Sequence, residues 1–312
     1  MADIVVTEFM DEAVVAALAE DYAVTYDPEL VHRPGALAGC LGETRALIVR
    51  SHTQVRPPLL DVAPKLVVVG RLGVGLDNID LDACAARGIE VCPATGANAV
   101  AVAEYVIAGI LMLRRGAFHA TDQVRAGAWP RLDLIGGEVS GCRLGLIGFG
   151  GIARAVAARA RALGMAVCAF DPFLPADDPA WEEQAVAPVD LEALLAESDV
   201  VSLHVPLTDE TRHLIDAERL AAMRPHAVLI NSARGGVLDE PALVEALRAG
   251  HLGGALLDVY ESEPLPAGAD FEDVPNLILT PHIAGLTRES EKRVSEVTAA
   301  HVRRVLERDS RK

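Results

Sequence analysis

The fold is decided by the stretch Gly145-Leu146-Ile147-Gly148-Phe149-Gly150-Gly151-Ile152-Ala153, in which a glycine-rich turn follows an apolar run and opens a helical pattern. Gly148 permits a tight turn out of the strand, and Gly150 lets the backbone approach a pyrophosphate. The small Ala153 lets the helix pack closely on the sheet. A helix that begins near Gly151 directs unpaired N–H groups at the phosphates. The stretch therefore predicts a binding site for a dinucleotide.

An acidic residue follows at the distance that this dinucleotide pattern requires. Asp171 closes a second apolar run, Ala166–Phe170, and lies 21 positions after Gly150. Its carboxylate can accept hydrogen bonds from the hydroxyls of the adenosine ribose, whereas a 2′-phosphate there would meet a like charge. Strand, turn, helix, strand and acid in this order predict that the cofactor is NAD rather than NADP.

The length and composition of the chain are those of a globular protein with two cores. It has 312 residues, of which 51% are hydrophobic. Charge, glycine or proline interrupts each apolar stretch before it reaches the length of a membrane span, so we expect no membrane partner. The start Met1-Ala2-Asp3 lacks the basic residues of a secretory signal, and we expect a cytoplasmic protein.

Charge and cysteine content exclude other classes of function. The formal net charge of -17 argues against binding of nucleic acid, which depends on Lys and Arg contacts to phosphate. It does not exclude an anionic substrate, because a local cluster of arginines can reverse the potential of a cleft. The five cysteines include no C-x-x-C pair, so we expect neither a disulfide framework nor a metal site.

Apolar runs alternate with helical patterns in two series, which is typical of parallel sheets. The first series of predicted strands is 4–6, 46–49, 66–69 and 89–91. The second series, with the six strands expected of a dinucleotide-binding domain, is 143–147, 166–170, 200–203, 227–230, 255–258 and 277–279. We expect a buried helix over 100–115 and a long amphipathic helix over 289–308.

The predicted fold class is α/β, with two doubly wound parallel-sheet domains. A Rossmann NAD-binding domain of residues 99–284 is inserted into a flavodoxin-like substrate domain of residues 1–98 and 285–312. In such open sheets ligands collect at the carboxyl ends of the strands, so polar residues that follow the apolar runs are candidates for a site. Four of them lie at or after the ends of the last three strands of the second series: Arg234, Asp258, Glu263 and His282.

Three of these side chains suit the reduction of a 2-oxo acid. The guanidinium of Arg234 can hold a carboxylate through paired donors and polarise the neighbouring carbonyl. His282 can give or take the proton of the developing hydroxyl, because histidine titrates near neutral pH. Glu263 can bond to the other ring nitrogen, favour the imidazolium and fix the tautomer. Taken singly, each has an ordinary explanation as a surface arginine, a solvated acid or a structural histidine; their joint placement favours catalysis.

Several segments of the chain carry a resemblance to a known family. They are 49–51, 70–80, 145–153, 231–236, 257–264 and 280–285. On these motifs the chain resembles the D-isomer-specific 2-hydroxyacid dehydrogenases over nearly its whole length, and within them the short-form D-3-phosphoglycerate dehydrogenases. The resemblance implies a homodimer that pairs through its NAD-binding domains. It also implies that a small anionic 2-hydroxy or 2-oxo acid is the substrate.

The resemblance and the residues together predict three sets of site residues. The catalytic set is Arg234, Glu263 and His282. The cofactor-binding set is Gly148, Phe149, Gly150, Gly151, Ile152, Asp171, Pro206, Ala233, Asp258, which the resemblance places at the nicotinamide amide, and His282. The substrate-binding set is Arg50, Ser51, Arg71, Val74, Gly75, Asn98 and Arg234. In phosphoglycerate dehydrogenases, arginines that match Arg50 and Arg71 meet the distal phosphate, whereas ordinary ion pairs are the alternative for both.

The identity of the acid stays open at this point. Sulfolactate dehydrogenases and glyoxylate or hydroxypyruvate reductases share the same catalytic residues. A function of another class, an NAD-sensing scaffold like some transcriptional corepressors, uses the same fold. A sensor would not need the substrate-side residues Arg50, Ser51 and Arg71, and no long disordered extension for recruiting partners is evident. We therefore expect an enzyme.

Overall fold

The structure is a computed structural model that describes residues 2–268 and 270–311. The chain folds into two compact units, Met1–Asn98 with Leu286–Lys312, and Ala99–Gly285. Each unit is an α/β body with its own parallel sheet, so the predicted fold class is confirmed.

The first unit alternates strands and helices from its start. Its strands are β1 (Ile4–Val6), β2 (Val24–Tyr26), β3 (Ala46–Val49), β4 (Val68–Arg71) and β5 (Glu90–Pro93). Its helices up to residue 98 are α1 (Glu12–Ala19), α2 (Pro34–Cys40), α3 (Pro57–Leu60) and α4 (Leu81–Ala86), with 3-10 turns at Leu30–His32 and Leu41–Glu43. The strand order within the described residues is β2-β1-β3-β4-β5, which is the flavodoxin-like order.

The sheet of the first unit is buried on both faces. Ile4 and Val6 of β1 pack into one hydrophobic cluster, whereas Val5 packs into the cluster on the opposite face. All three side chains are fully buried. Successive side chains of a strand point to opposite faces of the sheet, so a strand that is covered on both faces has apolar residues at successive positions. These continuous apolar runs made the strands of this sheet predictable.

One strand of this unit was not predicted. β2 lies at the edge of the sheet, and its residues Val24, Thr25 and Tyr26 are all only partly buried. An edge strand is covered less completely than a central one, so it needs no uninterrupted apolar run. The short sequence with a central threonine therefore gave no clear signal.

The second unit holds the larger sheet. Its strands are β6 (Arg143–Ile147), β7 (Ala166–Phe170), β8 (Ala187–Pro188), β9 (Val200–Leu203), β10 (Val228–Asn231), β11 (Gly254–Leu257) and β12 (Leu277–Leu279). Its helices are α5 (Ala99–Arg115), α6 (Thr121–Arg125), α7 (Gly151–Ala162), α8 (Pro179–Gln184), α9 (Leu191–Glu197), α10 (Ala217–Ala222) and α11 (Glu240–Arg248), with a 3-10 turn at Ala117–Ala120.

The strand order of the second sheet places the glycine turn at the point where ligands bind in such folds. Among the described residues the parallel order is β12-β11-β10-β9-β6-β7-β8. The order reverses between β6 and β9, and the glycine turn follows β6 directly. Six of these strands were predicted. The seventh, β8, was missed because it is a two-residue edge strand that contains Pro188, which has no N–H for a ladder bond.

The last helix, α12 (Arg288–Asp309), packs on the sheet of the first unit. A capping box between Thr287 and Ser290 starts it. A Cβ built on Gly70 of β4 would lie 2.8 Å from methyl groups of Thr298 and Val302, so glycine is needed for this close approach. None of the helices formed by residues 2–268 and 270–311 combines the length and the apolar character that a membrane span requires.

Candidate active site

The glycine turn after β6 has the shape that a dinucleotide needs. Gly148 has φ of 87°, and a Cβ built on it would lie 2.5 Å from the carbonyl oxygen of His204. Built Cβ atoms on Gly150 and Gly151 meet no heavy atom within 4 Å, so the start of α7 faces open space. Gly150 is the N-cap of α7 and has no side chain to bond the first N–H groups. These donors fit the pyrophosphate of NAD.

Asp171 is tied to the glycine turn. Its Oδ2 accepts a hydrogen bond from the N–H of Phe149 at 2.9 Å, and its Oδ1 accepts one from the N–H of Phe173 at 3.0 Å. The carboxylate therefore has a fixed place at the end of β7, beside the turn, where it fits the hydroxyls of a ribose. The glycine turn and Asp171 are thus joined by a hydrogen bond.

Phe149 supports the turn through its side chain. The ring is 1% exposed and stacks on Trp181, with ring centroids 4.7 Å apart and planes within 8°. The guanidinium of Arg154 lies 5.4 Å from the ring centroid, and its Nε donates to the carbonyl of Phe149 at 3.0 Å. Trp181 and Arg154 were not predicted, because no spacing in the sequence shows which aromatic ring meets another.

The remaining cofactor candidates lie close to these elements in the sequence. Ile152 is half-buried in the first turn of α7, and Pro206 is exposed in the segment after β9. This segment lies beside the turn, since the N–H of His204 donates to the carbonyl of Ile147 at 2.7 Å. Burial lowers the pKa of His204 to about 4, and its Nε2 lies 3.0 Å from the hydroxyl of Ser202. The ring of His204 is therefore neutral at pH 7 and cannot supply a proton as an imidazolium would.

His282 and Glu263 form the pair that the sequence analysis anticipated. Nδ1 of His282 lies 2.7 Å from Oε2 of Glu263. The other carboxylate oxygen accepts the N–H of Tyr260 at 3.0 Å, which holds Glu263 in place. The side chain of His282 is 51% exposed, and its Nε2 has no hydrogen-bond partner among the residues that the structure describes. That nitrogen can give a proton to a ligand or take one.

Asp258 holds the segment that carries His282. It is 1% exposed at the end of β11. Its Oδ1 accepts the hydroxyl of Thr280 at 2.6 Å and the N–H of Ile283 at 2.8 Å, and its Oδ2 accepts the N–H of Ala284 at 2.8 Å. His282, between these points, has φ of 53°, a conformation that a residue with a side chain rarely adopts. Buried Asp258 thus stabilises a backbone that would be unfavourable on its own, a role the sequence did not reveal.

The loop after β10 carries Arg234. The amide of buried Asn231 accepts the N–H of Ala233 and donates to the carbonyl of Arg234, both at 3.0 Å. A Cβ on Gly235 would lie 1.8 Å from the carbonyl oxygen of Tyr260. The loop is therefore packed against the segment that holds Glu263. The second unit thus places Arg234, Glu263 and His282 on neighbouring segments at the carboxyl ends of its strands.

Six of the substrate candidates lie in the first unit, at or after the ends of β3, β4 and β5: Arg50, Ser51, Arg71, Val74, Gly75 and Asn98. Arg50 forms a two-point ion pair with Glu291 of α12, at 2.6 and 2.5 Å. Arg71 donates from Nη1 to the carbonyl of Leu72 at 2.7 Å. A Cβ on Gly73, which has φ of 142°, would lie 1.6 Å from that nitrogen, so glycine makes room for the guanidinium. Oδ1 of Asn98 is buried without a partner among the described residues.

In the part of the chain that the structure describes, no cluster of His, Cys, Asp or Glu could hold a metal ion. The chemistry available at the site is that of a guanidinium, a carboxylate and an imidazole. These groups can bind an anion and transfer a proton, and the glycine turn supplies a place for a nucleotide.

Comparison with known proteins gives the family of this site. Residues 107–284 match the model of the D-isomer specific 2-hydroxyacid dehydrogenase NAD binding domain. Over 306 residues the chain is 56% identical to (S)-sulfolactate dehydrogenase of Chromohalobacter salexigens, covering 98% of this chain and 99% of that protein. It is 38% identical over 307 residues to D-3-phosphoglycerate dehydrogenase of Methanocaldococcus jannaschii, covering 98% of this chain but 58% of that protein.

A solved structure agrees with these relatives. The crystal structure of D-lactate dehydrogenase from Aquifex aeolicus, complexed with NAD and lactic acid, superimposes with a TM-score of 0.84 at 30% identity. The superposition covers 99% of this chain and 96% of that one. The likeness extends through both units of the fold.

Proposed function

The chain belongs to the D-isomer specific 2-hydroxyacid dehydrogenase family, and on this premise we propose that its substrate is a small 2-hydroxy acid with a second anionic group. It is an NAD-dependent oxidoreductase. Sulfolactate is the first candidate, because the sulfolactate dehydrogenase matches over nearly the full length of both proteins. Phosphoglycerate is the second, since the chain spans little more than half of the phosphoglycerate dehydrogenase.

The match to the sulfolactate dehydrogenase is the observation that carries the second anionic group, and Arg50 is the residue that we assign to it. Its guanidinium binds the two oxygens of Glu291, so a planar or tetrahedral oxyanion of the substrate has to take these donors from that carboxylate. Sulfonate and phosphate groups offer the same pair of oxygens as a carboxylate. Arg50 follows β3 and Arg71 ends β4, and in parallel sheets ligands collect at these strand ends.

The residues of the second unit have separate tasks in the reaction. Bound NAD supplies the hydride acceptor, and NADH the donor for the reverse direction. Arg234 holds the carboxylate of the acid and polarises the carbonyl beside it. In reduction, Nε2 of His282 gives its proton to the oxygen on C2, and in oxidation it takes that proton back. Glu263 accepts a hydrogen bond from the N–H of Nδ1, so the proton that is exchanged with the substrate is the one on Nε2.

The two units have different parts in this proposal. Ala99–Gly285 is the NAD-binding domain, and the unit that contains β1 to β5 and α12 is the substrate domain. We place the enzyme in the cytoplasm, because its five cysteines, all within the described residues, are free thiols of the kind that persist in a reducing compartment.

An exposed apolar segment of the NAD-binding domain supports a homodimer. Phe118, Trp129, Leu132 and Ile135 are 61%, 75%, 81% and 75% exposed. Apolar side chains that cluster in one surface segment are typical of an interface. Light scattering during size-exclusion chromatography should give twice the chain mass of 33.0 kDa, and a monomer at all concentrations would rule out the pairing.

The experiment that tests the proposed substrate is a panel of 2-oxo acids, with NADH oxidation followed by absorbance. Sulfopyruvate, 3-phosphohydroxypyruvate, hydroxypyruvate, glyoxylate and pyruvate differ in the second anionic group. We expect sulfopyruvate to have the highest kcat/KM. A preference for the phosphate would make the enzyme a phosphoglycerate dehydrogenase, and equal turnover of the acids without a second charge would contradict the distal anion site. No turnover at all would favour an NAD-sensing scaffold.

Replacing Arg50 with methionine should separate the two kinds of acid. The substitution keeps the length of the side chain but removes the paired donors, and the loss of a charge-assisted contact should raise KM for sulfopyruvate about tenfold or more. KM for pyruvate should change less than about twofold, because pyruvate has no second anion. Arg87→Met, which removes a surface pair with Asp61, is the matched control. Equal effects of Arg50→Met on both acids would indicate a structural role.

Asp171 should govern the choice between NAD and NADP. Asp171→Ala removes the ribose acceptor and the repulsion of a 2′-phosphate, so the ratio of kcat/KM for NADH over NADPH should fall about tenfold to a hundredfold. Alanine also releases the N–H of Phe149, whereas Asp171→Asn keeps an acceptor for it and removes only the charge. Because both substitutions remove the negative charge at position 171, both variants should gain activity with NADPH. A ratio that stays constant in both would exclude Asp171 from cofactor choice.

A further inference from the structure

The loop that follows β3 has an unusual backbone environment. This 50–53 loop consists of Arg50, Ser51, His52 and Thr53. Its consecutive N–H groups all donate to the carboxylate of Glu8: Arg50 and Thr53 to Oε1 at 2.9 and 3.0 Å, and Ser51 and His52 to Oε2 at 3.2 and 3.0 Å. Such a run of converging N–H groups forms an anion-binding concavity.

Glu8 is held in this concavity as a charged group. It follows β1 and is 4% exposed. Burial alone raises its pKa, but hydrogen bonds from the N–H groups of Thr53, His52 and Arg50 more than compensate, and the net shift of the pKa of Glu8 is downward. The carboxylate is therefore ionised at neutral pH, and its interaction with the loop is stronger than one between neutral groups.

Other side chains fix the carbonyl side of the loop. Nδ2 of Asn78 donates to the carbonyls of Thr53 at 2.7 Å and Arg50 at 3.2 Å. The hydroxyls of Thr7 and Thr53 lie 2.8 Å apart. The polar backbone of the loop is thus bonded to protein groups, while the side chains of Ser51 and His52 are exposed. A ligand that reaches this loop meets side chains and not backbone N–H groups.

We propose that Glu8 is a positioning residue for substrate binding: its carboxylate fills the N–H concavity of the 50–53 loop and so orients Arg50 and Ser51 for the anionic acid. This inference rests on the proposed function, which assigns Arg50 and Ser51 to the substrate. The loop is set before the acid arrives, so binding does not require its ordering. Because the carboxylate of Glu8 occupies the concavity, the anionic groups of the substrate do not bind to its N–H groups.

Glu8→Gln tests this role with the smallest change of shape. The single oxygen of the glutamine amide still accepts hydrogen bonds. The NH2 group of the amide, however, faces the backbone N–H groups of the 50–53 loop and repels them. We expect KM for the preferred 2-oxo acid to rise about tenfold, while kcat changes less than about threefold, because the reacting groups lie in the other unit. Glu8→Asp keeps the charge and should recover part of the affinity. Glu12→Gln, an exposed acid of α1, should leave KM unchanged.

Hydrogen exchange gives a second readout that does not depend on turnover. The amides of Arg50, His52 and Thr53 should exchange faster in Glu8→Gln than in the wild type, whereas the affinity for NADH should stay within about twofold. If Glu8→Gln lost its affinity for NADH, or showed no thermal unfolding transition, the variant would be generally unfolded. Either result would overturn a local role for Glu8.

The outcomes separate this inference from the proposed function. An active wild type beside a Glu8→Gln variant with unchanged KM would overturn the role of Glu8 alone. A wild type that turns over none of the 2-oxo acids would overturn the proposed function, and with it the role of Glu8 in substrate binding. A raised KM, partial recovery in Glu8→Asp and faster exchange of the loop amides together are the expected result.

Discussion

Replacement of His282 with alanine should lower kcat about 100-fold to 10,000-fold while the affinity for NADH changes less than about twofold. The variant loses the proposed proton donor for the oxygen on C2. It keeps the glycine turn, Asp171 and the stack of Phe149 on Trp181, which lie on other elements. Steady-state turnover of the preferred acid and a fluorescence titration with NADH measure the two effects separately.

His213 offers a close control for this substitution. It also pairs with a glutamate, since its Nε2 lies 2.9 Å from Oε1 of Glu261, and its side chain is 44% exposed against 51% for His282. Both histidines have a positive φ, 48° and 53°. His213→Ala should therefore cost similar stability and leave kcat within about threefold of the wild type. Equal losses in the two variants would show that a histidine–glutamate pair matters here for structure and not for proton transfer.

Arg234→Lys should lower kcat/KM about 100-fold, although the charge is conserved. Lysine offers a point charge, whereas a guanidinium can place two parallel donors on a carboxylate and, in the proposed role of Arg234, also reaches the adjacent carbonyl. Because the contact to the carbonyl strengthens as negative charge develops on it, part of the loss should appear in kcat as well as in KM. Kinetics with the preferred acid at saturating NADH measure both constants.

A second arginine of the same unit controls for the loss of a guanidinium. Arg219 pairs with Asp216 and donates to the carbonyl of Leu214. Arg219→Lys should leave kcat/KM within about twofold, because this partly exposed pair has no part in the proposed reaction. If Arg234→Lys were as active as the wild type, recognition by paired donors would be wrong, and a simple positive charge would be sufficient at this position.

Much of the fold was predictable because both sheets are buried on their two faces. Strands such as β1 and β3 read as uninterrupted apolar runs, and the glycine turn marks where β6 ends. The edge strands β2 and β8 were missed, since an edge is only partly covered and needs no continuous apolar sequence. The apolar runs of the sequence therefore indicate which strands are buried more directly than they indicate which strands pair.

The candidate site was predictable in part, for a different reason. The carboxyl ends of parallel strands meet at one edge of a sheet, so the residues that follow them could be selected without knowing any distance. The supporting role of the buried acids could not be predicted in this way. Glu8 and Asp258 look like ordinary acids after a strand, and only folding shows that each is nearly buried and bonded by backbone N–H groups. Their role depends on the path of a loop, which no short motif encodes.

The division of the chain into two units has a consequence for the history of this enzyme. The proposed proton donor and the cofactor groups belong to one unit, and the residues proposed to bind the tail of the acid belong to the other. Arg50 and Asp171 lie in different units, so the effects of substitutions at the two positions should combine additively. Selection can then alter which acid is accepted while the chemistry is left intact, and new substrate ranges become accessible by single steps.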